Sequence, residues 1–209
     1  MRMTKDSKGE QVHAFVFTGD GRTEFRHLSA ICKKLDGTTK VLWFPESPIP
    51  LKREKDTGLY SLRNLRQITM EYRQRRLLLA IDREHFGTEA QRSGKELDEA
   101  KDFLQKRIRA TVADASVLMP QNAFLLRCSF GSQSFDLCLA IRETHEKEIA
   151  QLIQFKFHTK IEPVDSQIRS FLKKIKMDEE TLIEKCAAKY LAQAFPGLYC
   201  ALSWIEEQQ

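Results

Sequence analysis

The sequence is poor in patterns that announce a function. It has no CxxC pair, no GxGxxG fingerprint, no GxxxxGK[ST] loop, no internal repeat and no low-complexity segment. Without either glycine-rich cradle, a nucleotide-binding receiver-like domain is a weak third reading. Apolar runs are strand-sized, too short for the roughly 20 residues of a membrane-spanning helix. The basic leader Met1 to Lys8 has no apolar stretch behind it, so no secretory signal is expected. Cysteine is sparse too. Cys32, Cys128, Cys138, Cys186 and Cys200 are odd in number, widely spread and set mostly among apolar neighbours. That distribution argues against zinc and against a disulfide framework, and favours buried, reduced thiols in a cytoplasmic protein.

What is present suits one substantial core. The chain has 209 residues, 42% hydrophobic and 30% charged, which is too apolar for disorder. Its net charge of +5 is spread over a chain that also carries 29 acids. It is compatible with a nucleic-acid partner without demonstrating one.

Along the chain, Val12 to Phe17 reads as an apolar strand, followed by the glycine turn Thr18-Gly19-Asp20-Gly21-Arg22. Thr23 can cap a helix whose stripe is Phe25, Leu28, Ile31, Cys32 and Leu35. Lys40 to Phe44 is a second strand, stopped by Pro45, Pro48 and Pro50. An amphipathic helix from Ser61 leads into Leu77 to Ile81, a strand apolar enough to be covered on both faces. Glu89 to Arg109 is helical in pattern, Val112 to Met119 is ambiguous, and Phe124 to Cys128 reads as a fourth strand. Ser132 or Ser134 could cap a helix near Phe135, with Asp136 in its first turn and Leu137, Cys138, Leu139 and Ile141 behind. Helices follow, roughly Gln167 to Lys176, Glu179 to Phe195 and Leu198 to Glu207, with Pro196-Gly197 between the last two.

This alternation predicts an α/β fold with a mainly parallel four-stranded sheet flanked by helices, residues 1–145, and a helical C-terminal extension, residues 146–209, packed on the same domain. In such a sheet the turns at Thr18 to Glu24, Asp82 to His85 and Ser129 to Asp136 are expected to share one crevice. The apolar run ending in Asp82-Arg83-Glu84-His85 would there present two oxygen ligands. The same residues also read as a solvated strand end, His85 as a turn residue, and Asp136 as a helix N-terminal acid.

Three segments, FVFTGDGRTEF, LLLAIDREH and SFGSQSFDLCLAI, together resemble the Toprim fold of topoisomerases, primases and overcoming-lysogenization-defect nucleases, and in particular the small nuclease-like members found in prokaryotic defence systems. The resemblance spans Val12 to Ile141. It implies a magnesium- or manganese-dependent nuclease or phosphodiester-processing protein, with Asp82 and Glu84 standing where the family has its metal-binding Asp-x-Asp. Glu24 matches a second acid of the small members, and Asp20 and Asp136 are further metal candidates. One departure falls on a catalytic position: where the family closes its first strand with glutamate, this chain has Thr18. Clustered acids would repel a phosphate without metal, so Arg22, Arg63, Arg66, Arg73, Arg83 and Arg127, with Lys52 and Arg53, are expected to contact a nucleic-acid backbone. The alternative reading is a catalytically silent subunit whose apolar C-terminal helices dock a partner such as an ATPase or a second copy of the chain.

Overall fold

A computed structural model describes residues 1–5, 11–18, 24–35, 40–44, 58–71 and 75–207, with the backbone alone for Glu24 and Glu71. Its centre is β4, Arg76–Asp82. Leu77, Leu78, Leu79 and Ile81 are fully buried, each contributing on the order of 2 kcal/mol through the water it sheds. Successive strand residues point to opposite faces, so this run must be apolar at every position to fill two cores at once. Leu78 and Ala80 join one cluster, and Leu77, Leu79 and Ile81 the other.

The sheet has seven strands rather than the expected four. They are β1 (Arg2–Thr4), β2 (Ala14–Thr18), β3 (Val41–Trp43), β4, β5 (Thr111–Met119), β6 (Ala123–Phe130) and β7 (Gln133–Arg142), in the order β1-β3-β2-β4-β7-β6-β5. The first five in that order pair in parallel, while β6 and β5 are antiparallel. The extra strands come from three places. Residues Arg2–Thr4 add an edge, the ambiguous segment becomes the mostly exposed edge strand β5, and the stretch expected to be helical from Phe135 is β7. That last difference has a clear cause. Leu137 to Ile141 are buried on both faces between β4 and β6, and a continuous apolar run of this length fits a covered strand as well as a helix.

Helices cover both faces. On one side lie a 3₁₀ turn, Gly58–Asn64, and α2 (Leu65–Glu71), with α3 (Thr88–Ser93) and α4 (Glu96–Asp102), the last continuing into a π turn. On the other lie α1 (Glu24–Cys32), α5 (His145–Phe157), α6 (Asp165–Lys174), α7 (Glu179–Lys185), α8 (Ala188–Ala194) and α9 (Pro196–Glu207). The expected helix Glu179 to Phe195 breaks at Cys186, whose backbone is extended. Pro196 opens α9 instead of separating helices, since its missing N–H costs nothing at a first helical position. The C-terminal helices share a core with β1, α1 and one face of the sheet. Gly197 is the closest approach, because a methyl group there would sit 2.3 Å from the Asn122 carbonyl oxygen.

All five cysteines are free and four are buried, and burial pushes the Cys32 thiol up to about 12. Among the described residues no helix is long and apolar enough to cross a membrane.

Candidate metal centre at the carboxyl edge of the sheet

β4 ends at Asp82, opposite Arg142 at the end of β7, and β2 ends beside them with Thr18 opposite Ala80. The chain then turns through a short 3₁₀ segment, Arg83–His85, carrying exposed Glu84 and half-buried His85 back toward Asp82. One ligand atom from each of Asp82, Glu84 and His85 lies within 4.8 Å of the others. Gly58 holds the histidine from above. Its φ is +56°, and a Cβ at that position would lie 2.5 Å from His85 Cβ, so only glycine allows this approach.

Behind Asp82 sits a buried ion pair. The Arg142 guanidinium donates to Glu148 at 2.5 Å from Nη2, and its Nε lies 3.9 Å from Asp82 Oδ1. Arg142 is 4% exposed and Glu148 1%. Burial raises the Glu148 carboxyl to about 7, against the pull of Arg142.

The arginine between the two site acids does not face outward. Arg83 donates to Glu143 at 2.8 Å, to the Gln121 carbonyl at 3.0 Å, to Asn122 Oδ1 at 3.1 Å and to the buried Glu96 carboxylate. Its donors are occupied within the protein, which braces the 3₁₀ turn against the β5–β6 connection. Glu96 is wholly buried, and its second oxygen has no hydrogen-bond partner among the described residues.

The other sequence candidates divide three ways. Asp136 pairs with Arg76 at the amino end of β4, six positions from the register of Asp82, or about 20 Å along the strand. It therefore does not join the site. Because β6 runs antiparallel, the turn after it lies at the opposite edge from the Thr18 and Asp82 turns, so the expected three-turn crevice is not formed. Asp136 is not at a helix start either, and its carboxylate stands 4.0 Å from the exposed Arg127 on the neighbouring strand. Arg63 and Arg66 are exposed on the 3₁₀–α2 segment that begins at Gly58, Arg63 lying over the Tyr60 ring at 4.5 Å. Glu24 is the first residue of α1. Asp20, Arg22, Thr23, Lys52, Arg53 and Arg73 lie outside the described residues.

A second group, for which the sequence offered no local signal, begins just beyond the carboxyl end of β7. His27 on α1 and His145 at the start of α5 stack with centroids 4.9 Å apart and planes 3° from parallel. Each Nε2 lies 3.1 Å from the same oxygen, Glu179 Oε2 at the start of α7. These bonds to His145 and His27 pull the Glu179 carboxyl down to about 2, and the Glu179 partner raises His145.

No protein-family model, curated protein or solved structure matches this chain.

Proposed function

We propose that this is a cytoplasmic, Toprim-like protein that processes phosphodiester bonds in nucleic acid with a magnesium or manganese ion, in the manner of a defence nuclease. The observation that carries the reading is the approach of Asp82, Glu84 and His85 within 4.8 Å at the carboxyl end of the central parallel strand, the edge where open α/β sheets bind their ligands. The donor chemistry of two carboxylates and an imidazole suits the ion. Magnesium takes one or two carboxylates at about 2.1 Å and fills the remaining octahedral positions with water, so neighbouring ligands are about 3 Å apart and opposite ones about 4 Å. Asp82 and Glu84 would hold the metal, with His85 as a third ligand or a proton carrier beside it. Once bound, the metal would neutralise the phosphate and lower the pKa of attacking water.

The surrounding charges make the ion necessary. Arg142 is shared by Asp82 and Glu148, and Arg83 by Glu96 and Glu143, so neither guanidinium is available to a phosphate. Arg142 positions Asp82 from behind, and Gly58 sets the His85 ring. Exposed Arg63 and Arg66, on the segment that starts against His85, are the backbone-contact candidates best placed for a bound strand. Purified protein with magnesium or manganese should cleave single- or double-stranded DNA or RNA. Wild-type cleavage by Asp82→Ala would overturn the assignment.

One observation favours a second reading, a catalytically silent subunit that docks a partner such as an ATPase. Thr18, 5% exposed at the end of β2, supplies no carboxylate where the resemblance leads one to expect a glutamate. Calorimetry separates the two, since a silent subunit binds no manganese either as wild type or as Thr18→Glu.

A further inference from the structure

We infer that His27, His145 and Glu179 form a second metal site, selective for a zinc-class transition ion, that ties α7 to α1 and α5. It shares no ligand with the Asp82 cluster and does not depend on the function proposed for it.

The donor set comes first. Two imidazole nitrogens and one carboxylate oxygen suit zinc and its neighbours, whereas the carboxylate-rich Asp82 group suits magnesium. The spacing agrees. Tetrahedral zinc with bonds near 2.0–2.1 Å places its ligand atoms about 3.3 Å from one another. Both histidine Nε2 atoms are 3.1 Å from Glu179 Oε2, and all three donor atoms lie within 4.8 Å. The two nitrogen–oxygen separations need a shift of only a few tenths of an ångström, and turning the two stacked rings toward each other would bring both nitrogens onto an ion on the open side of that triangle.

The setting also suits a site that loads from solvent. His27 is 5% exposed, while His145 and Glu179 are half-buried. His27 and Glu179 line a pocket of about 410 Å³, whose walls mix Asp178 and Glu180 with Arg26, Arg169 and Lys173. Three protein ligands leave a fourth position, the arrangement of zinc sites that keep an exchangeable water. Convergence of two imidazole nitrogens on one carboxylate oxygen also exceeds what a helix contact needs, since a single hydrogen bond to Glu179 would tie either helix to α7. Asp178 at the α7 N-cap accepts from the Thr181 amide at 2.7 Å, which keeps that helix start, and Glu179 with it, in place.

The test uses the full chain as Asp82→Asn, so that the other cluster adds nothing, stripped with chelator and titrated with Zn²⁺ by calorimetry and with Co²⁺ by visible absorption. The expected result is one equivalent of zinc, with the intense absorption of four-coordinate cobalt. Adding Glu179→Gln or His145→Gln should weaken binding at least about tenfold while the far-UV circular dichroism stays unchanged. His27→Gln is left out of the decisive comparison because its side chain is buried. Absence of zinc binding in Asp82→Asn, or unaltered affinity after Glu179→Gln and His145→Gln, would overturn the site. Neither outcome bears on metal-dependent cleavage by the wild-type chain, so the two proposals fail separately.

Discussion

The two ligand groups were built in opposite ways. Asp82, Glu84 and His85 come from four consecutive positions, and a strand end followed by a single 3₁₀ turn is enough to gather them. His27, His145 and Glu179 come from three helices spread over most of the chain, and only the docking of α7 against α1 and α5 brings them together. The first group should therefore survive loosening of the C-terminal helices, and the second should not. A local cluster depends on backbone geometry; a dispersed one reports on tertiary packing.

The largest expected effect lies in the local group. Asp82→Ala should reduce metal-dependent cleavage by about a hundredfold or more while leaving zinc affinity at the histidine group unchanged, read by endonuclease assay and calorimetry on the same preparation. Loss of zinc affinity along with cleavage in this variant would count against an independent histidine site. Next comes Glu148, which lies close enough to Asp82 and His145 to feel both. Glu148→Leu removes the nearer of the two carboxylates that face the 4%-exposed Arg142, leaving Asp82 at 3.9 Å, and unfolding by urea should show a loss of about 3 kcal/mol.

The metal-free histidine group should show itself in pH dependence. Glu179 is depressed from 4.5 to about 2 by its bonds to His145 and His27, so its contribution is present above pH 4.5 and is lost as pH falls toward 2. His145 is raised from 6.5, so its share is full below pH 6.5 and fades as pH climbs through the higher folded value. Stability from this group is thus greatest between roughly pH 4.5 and 6.5, worth on the order of 2 kcal/mol after allowance for partial exposure. Glu179→Gln should flatten the Tm-against-pH curve on both flanks; a curve of unchanged shape would show that the group is not coupled to folding.

Smaller effects separate the groups further. Gly58→Ala meets His85 and a left-handed backbone at once, costing about 1–2 kcal/mol, and manganese affinity should fall while zinc affinity holds. The smallest effect belongs to the far edge. Asp136→Asn should change stability by no more than about 0.5 kcal/mol and leave cleavage untouched, since the charge it faces on the neighbouring strand is exposed Arg127 at 4.0 Å. A large loss of cleavage there would contradict the placement of Asp136 on the opposite edge of the sheet.

Particular residues show how far the sequence could be read. The run Leu77 to Ile81 ending in Asp82 was legible because an uninterrupted apolar strand followed by acids has few other interpretations. The α1 start at Glu24 and the strand ending at Thr18 were legible for similar reasons. β7 was not, because Leu137 to Ile141 are apolar on every side and neither the strand nor the helix period stands out. β5 was ambiguous because an edge strand with one solvated face carries little apolar signal. Arg83 looked like a phosphate contact, and nothing within the segment hinted that Glu96, Gln121, Asn122 and Glu143 would surround it.

By itself, then, the sequence determined the central strand, its terminal acids and the helical character of the C-terminal third, because each rests on interactions between residues a few positions apart. The tertiary structure alone decided which edge each acid occupies, since that depends on whether β6 runs with or against its neighbours. It alone turned Arg83 and Arg142 inward, and it alone assembled His27, His145 and Glu179. Those outcomes depend on long-range pairing and helix docking, whose energies are spread over the whole core and leave no mark on the local pattern of residues.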